Sequence, residues 1–418
     1  MSARGTLRVP GDKSISHRAL ILAALATGES RIEGILQSDD VQSTAGMLRM
    51  MGTRVPDLSG DFTIVGKGLR GLAAPATTLD AGNSGTSTRL MAGVVAGHPF
   101  QARFEGDASL SRRPMKRIAR PLTEMGARFE FARGEGLPMT VHGGDLTGIT
   151  WNTRRASAQT KSAILLAALV SGVQASVIEA EKSRDHTERM LISLGAPVET
   201  DEFSVSLSPV DSIAPLDISV PGDPSSAAYM VALAVLSANA EVILPNVCAN
   251  KTRVGFIETL VAMGADVKFE NRVSVAGDTS ATVLARSSSL RDVSINGARI
   301  PSMIDEIPLL ACVAAAAGVA LEVTEGLELR LKESDRISTV VSNLKAIGAD
   351  AEEWRDGFRV NGKPGRLAGT VVTEGDHRIA MAFGILSKMP GNAITIDNPD
   401  CVSVSYPGFW KDIESLRG

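Results

Sequence analysis

The sequence predicts an α/β protein of two similar lobes, each stacked from repeated strand and helix units, and three observations carry that expectation. An apolar residue followed by glycine closes an amphipathic segment five times, at Met51-Gly52, Met125-Gly126, Leu194-Gly195, Met263-Gly264 and Ile347-Gly348, with spacings of 74, 69, 69 and 84 residues. Val9-Pro10-Gly11-Asp12 recurs as Val220-Pro221-Gly222-Asp223, each time ahead of an Ala- and Leu-rich run. The 418 residues are 44% hydrophobic, ample for packed cores and for two or more domains of ordinary size.

Each element follows from a local rule. Glycine just past a helix accepts the left-handed conformation that ends it, so each of the five glycines marks a helix end and the start of a strand. A period of this length is too long for the common solenoids and suits a βαβ unit carrying an extra strand pair. The Pro-Gly-Asp segments disfavour continuing either helix or strand, which makes them crossing points between lobes, with residues 1-12 plus 223-418 in one lobe and 13-222 in the other. The longest apolar stretch, Leu309 to Leu321, reads as one buried helix, since it falls short of the roughly 20 residues needed to cross a bilayer.

Composition removes several function classes. Forty-three Lys+Arg against 47 Asp+Glu give a formal net charge of −4, and only 11 Phe, 3 Trp and 2 Tyr are present, so neither a basic footprint nor stacking rings are available for nucleic acid. Cys248, Cys312 and Cys401 lie far apart, as do the five histidines, which argues against a disulfide framework or a metal site. Residues 1 to 13 contain no long apolar run, and Ala19 to Ala26 is too short and too far inside for a signal peptide; a cytoplasmic protein is expected.

Polar groups cluster where helices are expected to begin. Gly11 to Arg18 opens a helix with Ser14 or Ser16 as cap and brings Lys13, Ser14 and Arg18 within about one turn, an anion site if the cations are not simply solvated. Asp80 to Arg89 sets small residues before a helix, so backbone can approach a ligand, although a tight turn would look the same. Gly106 to Met115 places Arg112 and Arg113 on a loop, with Pro114 suited to the first helical turn behind them. Ser157-Ala158-Gln159-Thr160-Lys161 precedes an apolar helix, offering hydroxyl, amide and cationic groups although a cap alone would explain Ser157, and Ser183 to Arg189 reads by composition as a solvated helix start. Asp305 and Glu306 stand immediately before a very apolar helix, where an uncompensated charge is costly, which makes Asp305 a candidate base. Lys332 and Arg336 are spaced for one helical face with Glu333 beside them, and Asp376-His377-Arg378 heads another apolar helix. Lys13, Arg18, Arg113, Lys332, Arg336 and Arg378 together give six cations that suit a small polyanionic substrate.

With these residues assembled, the chain resembles the enolpyruvylshikimate-phosphate synthase family, the 3-phosphoshikimate 1-carboxyvinyltransferases, over essentially its whole length. Pro-Gly-Asp-Lys-Ser-Ile-Ser-His-Arg, Gly-Asn-Ser-Gly-Thr, Arg-Arg-Pro-Met, Ser-Ala-Gln, Pro-Ser-Met-Ile-Asp-Glu, Lys-Glu-Ser-Asp-Arg and Asp-His-Arg-Ile-Ala-Met stand in the family's order. Ser-Ala-Gln and Arg-Asp-His-Thr-Glu are similar to the class II branch. The resemblance implies an inside-out α/β barrel arrangement, two lobes of three βαβαββ units each, with two chain crossings as the hinge that closes over the substrates. It implies enolpyruvyl transfer from phosphoenolpyruvate to the 5-hydroxyl of shikimate 3-phosphate, with no metal or organic cofactor, no membrane, a monomeric state, and glyphosate as an inhibitor in the phosphoenolpyruvate pocket.

Carried over by position, Lys13, Ser14, Arg18, Ser157, Ala158, Gln159, Asp305 and Lys332 would hold shikimate 3-phosphate, with Arg184 added at its phosphate in the class II pattern. Lys13, Gly85, Arg113, Gln159, Arg336 and Arg378 would contact phosphoenolpyruvate. The chemistry needs a proton taken from a hydroxyl, a proton delivered to C3, and cations for carboxylate and phosphate; Asp305 is the expected base, Glu333 and Lys13 the donors. Many class I members carry a lysine shortly before the final Phe/Tyr-Pro, where this chain has Val404 ahead of Tyr406-Pro407. Glyphosate tolerance in some class II members goes with Ala at the position of Gly85; the retained glycine and the missing lysine oppose each other, so intermediate sensitivity is expected. The related enolpyruvyl transferases acting on UDP-N-acetylglucosamine carry a cysteine in the loop before Arg-Pro, and Gly106 to Arg113 has none. A non-catalytic anion- or RNA-end-binding protein on the same fold is the alternative from another class.

Overall fold

The computed structural model describes residues 2–153, 155–363 and 365–416. The chain forms two compact units, one of Gly11–Val220 and Ser274–Asp278, the other of residues up to Pro10, Pro221–Val273 and from Thr279 onward. The chain passes between units at Pro10/Gly11 and Val220/Pro221, two residues ahead of the sequence-based division. Asp12 and Asp223 each cap the helix that follows, Lys13–Leu25 and Pro224–Leu236, and therefore belong with it.

In the unit built from Gly11–Val220, strand Leu79–Asp80, helix Gly85–Ala96, strand Gln101–Glu105, helix Lys116–Glu124 and strands Arg128–Phe131 and Met139–His142 form one βαβαββ repeat. Its first two strands are parallel, which the crossover helix permits, and the last two add antiparallel. Ile149–Thr153, Ala158–Ser171, Ala175–Glu179, His186–Ser193, Val198–Thr200 and Ser204–Leu207 repeat the plan. The remaining repeat begins with helix Lys13–Leu25 and takes its first strand from the far end of the segment, Asp217–Ser219 pairing parallel with Glu29–Glu33, which pairs antiparallel with Phe62–Val65.

The other unit makes the reciprocal exchange. Arg4–Thr6 pairs parallel with Glu241–Cys248 and supplies the first strand of a sheet completed by Val267–Val275 and Asp278–Arg286. Val293–Ile295, helix Ile307–Ala317, Leu321–Val323, helix Arg336–Ala346, Ala351–Trp354 and Gly357–Val360 form a full repeat. The last repeat has two parallel strands, Ala368–Val371 and Ala393–Ile396, around helix His377–Ser387. Its second helix, Phe409–Ser415, is followed by no strand among the described residues, and the glycine signal accordingly stops at five.

Those five glycines do end helices: Gly52, Gly126, Gly195, Gly264 and Gly348 have φ of +87°, +120°, +80°, +104° and +95°. Leu309 to Leu321 is not one helix. Helix Ile307–Ala317 ends at Gly318, whose φ of +68° turns the chain into strand Leu321–Val323. No helix among the described residues is long and apolar enough to cross a membrane.

The first helix of every repeat is buried almost all round, as its nearly uniform apolar circumference requires, whereas strands such as Phe62–Val65 and Met139–His142 alternate buried and more exposed residues. Each unit thus keeps helices inside and sheets outside. At the closest approach of Gly85–Ala96 to Ala158–Ser171, a Cβ on Gly93 would lie 2.4 Å from the Ala163 carbonyl oxygen. Gly46, inside helix Asp39–Met50, has nothing within 4 Å of such a Cβ.

These two helical glycines should respond oppositely to alanine. Gly93→Ala should cost about 1–3 kcal/mol because backbone must move, while Gly46→Ala should gain about 0.5–1 kcal/mol from lower chain entropy in the unfolded state. Urea unfolding of both variants checks this, and a Gly93→Ala protein as stable as the parent would remove the close helix contact.

Candidate active site

The polar residues singled out in the sequence gather at the N-terminal turns of the buried helices, in one cluster per unit. In the unit built from Gly11–Val220, Asp12, not Ser14 or Ser16, caps the first helix, its carboxylate accepting from Ile15 N–H at 2.8 Å. Ser16 instead accepts from Leu36 N–H at 3.1 Å. Lys13 donates to Asp40 at 3.0 Å, and the Lys13 side chain keeps 18% exposure against 8% for Asp40. One turn on, the buried Arg18 donates through Nη1 to the Ser14 carbonyl at 2.9 Å.

His17 is buried between these cations. Burial first, then the charges of Lys13 and Arg18, hold its imidazole well below the ordinary range, so it is neutral. Its Nδ1 lies 2.7 Å from Thr44 Oγ1, which lies 2.7 Å from Ser87 Oγ, and Ser87 reaches the capping Ser84 hydroxyl at 2.7 Å. A hydroxyl chain therefore ties three helices together behind Lys13.

Gly85 opens its helix behind the Ser84 cap. A Cβ there would stand 2.9 Å from Arg89 Nη1, too close for an ordinary contact, and 3.5 Å from Arg113 Nη1, an ordinary one, so glycine is what lets the Arg89 guanidinium come this close to the backbone. Arg89 donates to Gln159 Oε1 at 2.6 Å, and Gln159 donates from Nε2 to Thr86 at 3.0 Å. Arg113 donates to Asn83 Oδ1 at 2.6 Å. Gly85, Arg113 and Gln159 are thus brought together through Arg89, Asn83 and Thr86. Sequence reasoning passed over Arg89; its signal was the four-residue step from a helix-opening glycine.

Two local expectations need correction here. Arg112 ends a short helix, Ala108–Arg112, and is exposed, while Arg113 is buried as its C-cap; Pro114 sits between that helix and Lys116–Glu124, inside neither. Ser157 caps helix Ala158–Ser171 as expected, accepting from Thr160 N–H at 3.3 Å. The run Ser183 to Arg189 is not a solvated helix start: Ser183, Asp185, His186, Thr187 and Glu188 are buried, and Arg184 is half-buried. Composition could not reveal that Glu188 has a buried partner, Lys161, at 2.7 Å.

In the other unit one guanidinium organises the cluster. Arg336, 2% exposed, donates from Nε to Asp376 at 2.9 Å, from Nη1 to Asp305 at 3.1 Å and from Nη2 to Glu333 at 2.7 Å. Burial opposes its charge, but Asp376, Glu333 and Asp305 outweigh burial and hold Arg336 well above its ordinary range. Lys332 and Arg336 do not share a helical face. Helix Arg336–Ala346 starts at Arg336 behind the Asp335 cap, and Lys332 lies just past the 3₁₀ turn Leu327–Leu331. Arg378, in the first turn of His377–Ser387, is also buried; Tyr229, Asp305, Glu306 and Asp223 together outweigh burial and raise it. Asp376 serves both arginines, accepting from Arg336 and from the Arg378 N–H at 2.9 Å.

Chemically, one unit presents an ammonium at a helix N-terminus together with several buried guanidiniums, which suits phosphate or carboxylate recognition. The other presents Asp305 and Glu333, 17% and 21% exposed at their side chains, on a single buried fork, which suits proton transfer under a fixed geometry. The family model of EPSP synthase (3-phosphoshikimate 1-carboxyvinyltransferase) matches residues 2–413. A 3-phosphoshikimate 1-carboxyvinyltransferase of a Sulfurihydrogenibium species is 45% identical over 417 residues, covering 99% of this chain and 97% of that protein. The Bacillus subtilis protein of the same name is 42% identical over 414 residues, with the same shares. An EPSP synthase structure from Acinetobacter baumannii superposes with a TM-score of 0.87 at 38% identity, covering 99% of this chain and 96% of that one. The enolpyruvyl transferase NikO from Streptomyces tendae shares the fold, with a TM-score of 0.76 at 17% identity and coverage of 99% and 95%. Matched from end to end in sequence, and in fold across both units, the chain belongs to the EPSP synthase (3-phosphoshikimate 1-carboxyvinyltransferase) family.

Proposed function

We infer that this enzyme transfers the enolpyruvyl group of phosphoenolpyruvate to the 5-hydroxyl of shikimate 3-phosphate and releases phosphate, the reaction of the shikimate pathway for which its relatives are named. The observation that carries the residue roles is the Arg336 fork, which holds Asp305 and Glu333 on adjacent nitrogens of one rigid plane.

In the proposed reaction Asp305 takes the proton of the 5-hydroxyl as its oxygen bonds to C2 of phosphoenolpyruvate. A proton is delivered to C3, which becomes a methyl group, and the resulting adduct then loses phosphate while a C3 proton leaves, restoring the double bond. Lys13 and Glu333 serve C3 in these two transfers; Lys13 carries protons to give, and Glu333, already accepting from Arg336, has the acceptor oxygens to take one back. Lys13, Ser14, Arg18, Ser157, Ala158, Gln159, Arg184, Asp305 and Lys332 are the proposed contacts of shikimate 3-phosphate, and Lys13, Gly85, Arg113, Gln159, Arg336 and Arg378 those of phosphoenolpyruvate. Support comes from the helix N-terminal placement of Lys13, Gly85, Ala158, Gln159 and Arg378 and from the fixed orientation of the guanidiniums.

Phosphate release from phosphoenolpyruvate should require shikimate 3-phosphate and persist in chelator, since each proposed catalytic group is a side chain. Equal turnover with UDP-N-acetylglucosamine would overturn the assignment. Asp305→Asn and Glu333→Gln should each lower kcat by roughly 10²-fold or more in steady-state assays. Near-normal kcat in both variants would take these carboxylates out of the chemistry.

Glyphosate supplies a separate test of the proposed phosphoenolpyruvate pocket. A methyl at Gly85 would force the Arg89 guanidinium, held by Gln159, to shift, at a cost of about 1–3 kcal/mol in a tight pocket. Gly85→Ala should therefore raise the inhibition constant for glyphosate more than the KM for phosphoenolpyruvate. An inhibition constant unmoved by the substitution would show that Gly85 does not border the inhibitor.

A further inference from the structure

The polar run Ser183 to Arg189 enters the proposed chemistry only through Arg184, yet one of its buried side chains, Thr187, is bonded to Arg18. Helices Ala158–Ser171 and His186–Ser193 are joined by two adjacent rungs. Lys161 Nζ meets Glu188 Oε1 at 2.7 Å, and one residue forward in the first helix and one residue back in the second, Ser162 Oγ meets Thr187 Oγ1 at 2.7 Å. The first rung continues to Glu179, 2.6 Å from Lys161, which also accepts from the Ser183 hydroxyl. Burial opposes the Lys161 charge, and Glu188 and Glu179 outweigh it. An ion cluster of this kind, with side chains 0–2% exposed, adds little net stability but fixes geometry, because any slip leaves a charge unpaired in a dry interior.

Arg18 docks on the second rung. Its Nε donates to Thr187 Oγ1 at 2.6 Å and its Nη2 to Ser162 Oγ at 2.7 Å, while Nη1 bonds the Ser14 carbonyl. All three of these acceptors are neutral. They fix the plane of the guanidinium through neutral oxygens, whereas three carboxylates bond Arg336 in the other unit. We propose that Thr187, together with Ser162, is a positioning residue that sets the guanidinium plane of Arg18 for shikimate 3-phosphate, with the buried Lys161–Glu188–Glu179 cluster holding the two hydroxyls in place. The inference rests on the reading of Arg18 as a contact of that substrate.

Thr187→Val keeps the shape of the side chain and removes the oxygen that receives Arg18 Nε and Ser162 Oγ. The KM for shikimate 3-phosphate should rise about tenfold, the scale of one hydrogen bond to a charged group, with kcat and the KM for phosphoenolpyruvate within about twofold of the parent. Thr187→Ser should restore the parental KM, and Ser162→Ala should reproduce the valine effect through the other hydroxyl. A merely structural threonine would lower the melting temperature of Thr187→Val and leave the KM ratio of the two substrates unchanged, and that result overturns the proposal. Calorimetry with shikimate 3-phosphate alone separates the two layers of inference. Equal affinities of parent and Thr187→Val refute the positioning role, while a parent that binds this ligand yet releases no phosphate from phosphoenolpyruvate refutes the reading of the reaction.

Discussion

Everything in each unit depends on one constraint: the first helix of every repeat is apolar round nearly its whole circumference and has to be buried. Burying a helix also buries its first-turn N–H groups, which must then be met by side chains or ligands. Asp12, Ser84 and Ser157 do this in one unit, Asp223 and Asp376 in the other. The capping groups thereby place polar side chains at the starts of the most apolar helices, where the dielectric is low and the helix ends are positive. The proposed substrate contacts Lys13, Ser14, Gly85, Ala158, Gln159 and Arg378 all occupy such first turns.

The two clusters solve the cost of buried charge differently. Around Arg336 three carboxylates converge, so the guanidinium is fixed as a cation and two carboxylates are oriented by it at the cluster's more open side. Around Arg18 two hydroxyls and a carbonyl provide orientation, and beside them Glu179 and Glu188 pair with Lys161.

Enolpyruvyl transfer asks for both arrangements. Phosphates and carboxylates have to be neutralised while one proton leaves a hydroxyl oxygen and others are exchanged at C3. The strand exchange at the start of each half has a structural consequence as well. Arg4–Thr6 completes a sheet of the C-terminal half and Asp217–Ser219 one of the N-terminal half, so neither unit is made from a continuous half of the chain.

What the sequence by itself determined was whatever depends on a few neighbouring residues. The five helix-ending glycines, the Ser157 cap and the carboxylates heading an apolar helix at Asp305 and Glu306 were legible, because left-handed backbone and N-cap hydrogen bonds are decided within about one turn, whereas the cap of the first helix fell to Asp12 and not to Ser14 or Ser16. The end-to-end motif order made the family legible too. Long-range partners were not. Lys332 and Arg336 have helical spacing yet lie on different elements, Arg89 reaches Gln159 across 70 residues, and the charged run at 183–189 looked solvated while its partners Lys161 and Arg18 stand elsewhere in the chain. Only the tertiary structure could decide these, since the free energy of a buried charge is set by the partners that packing brings to it, and not by its sequence neighbours.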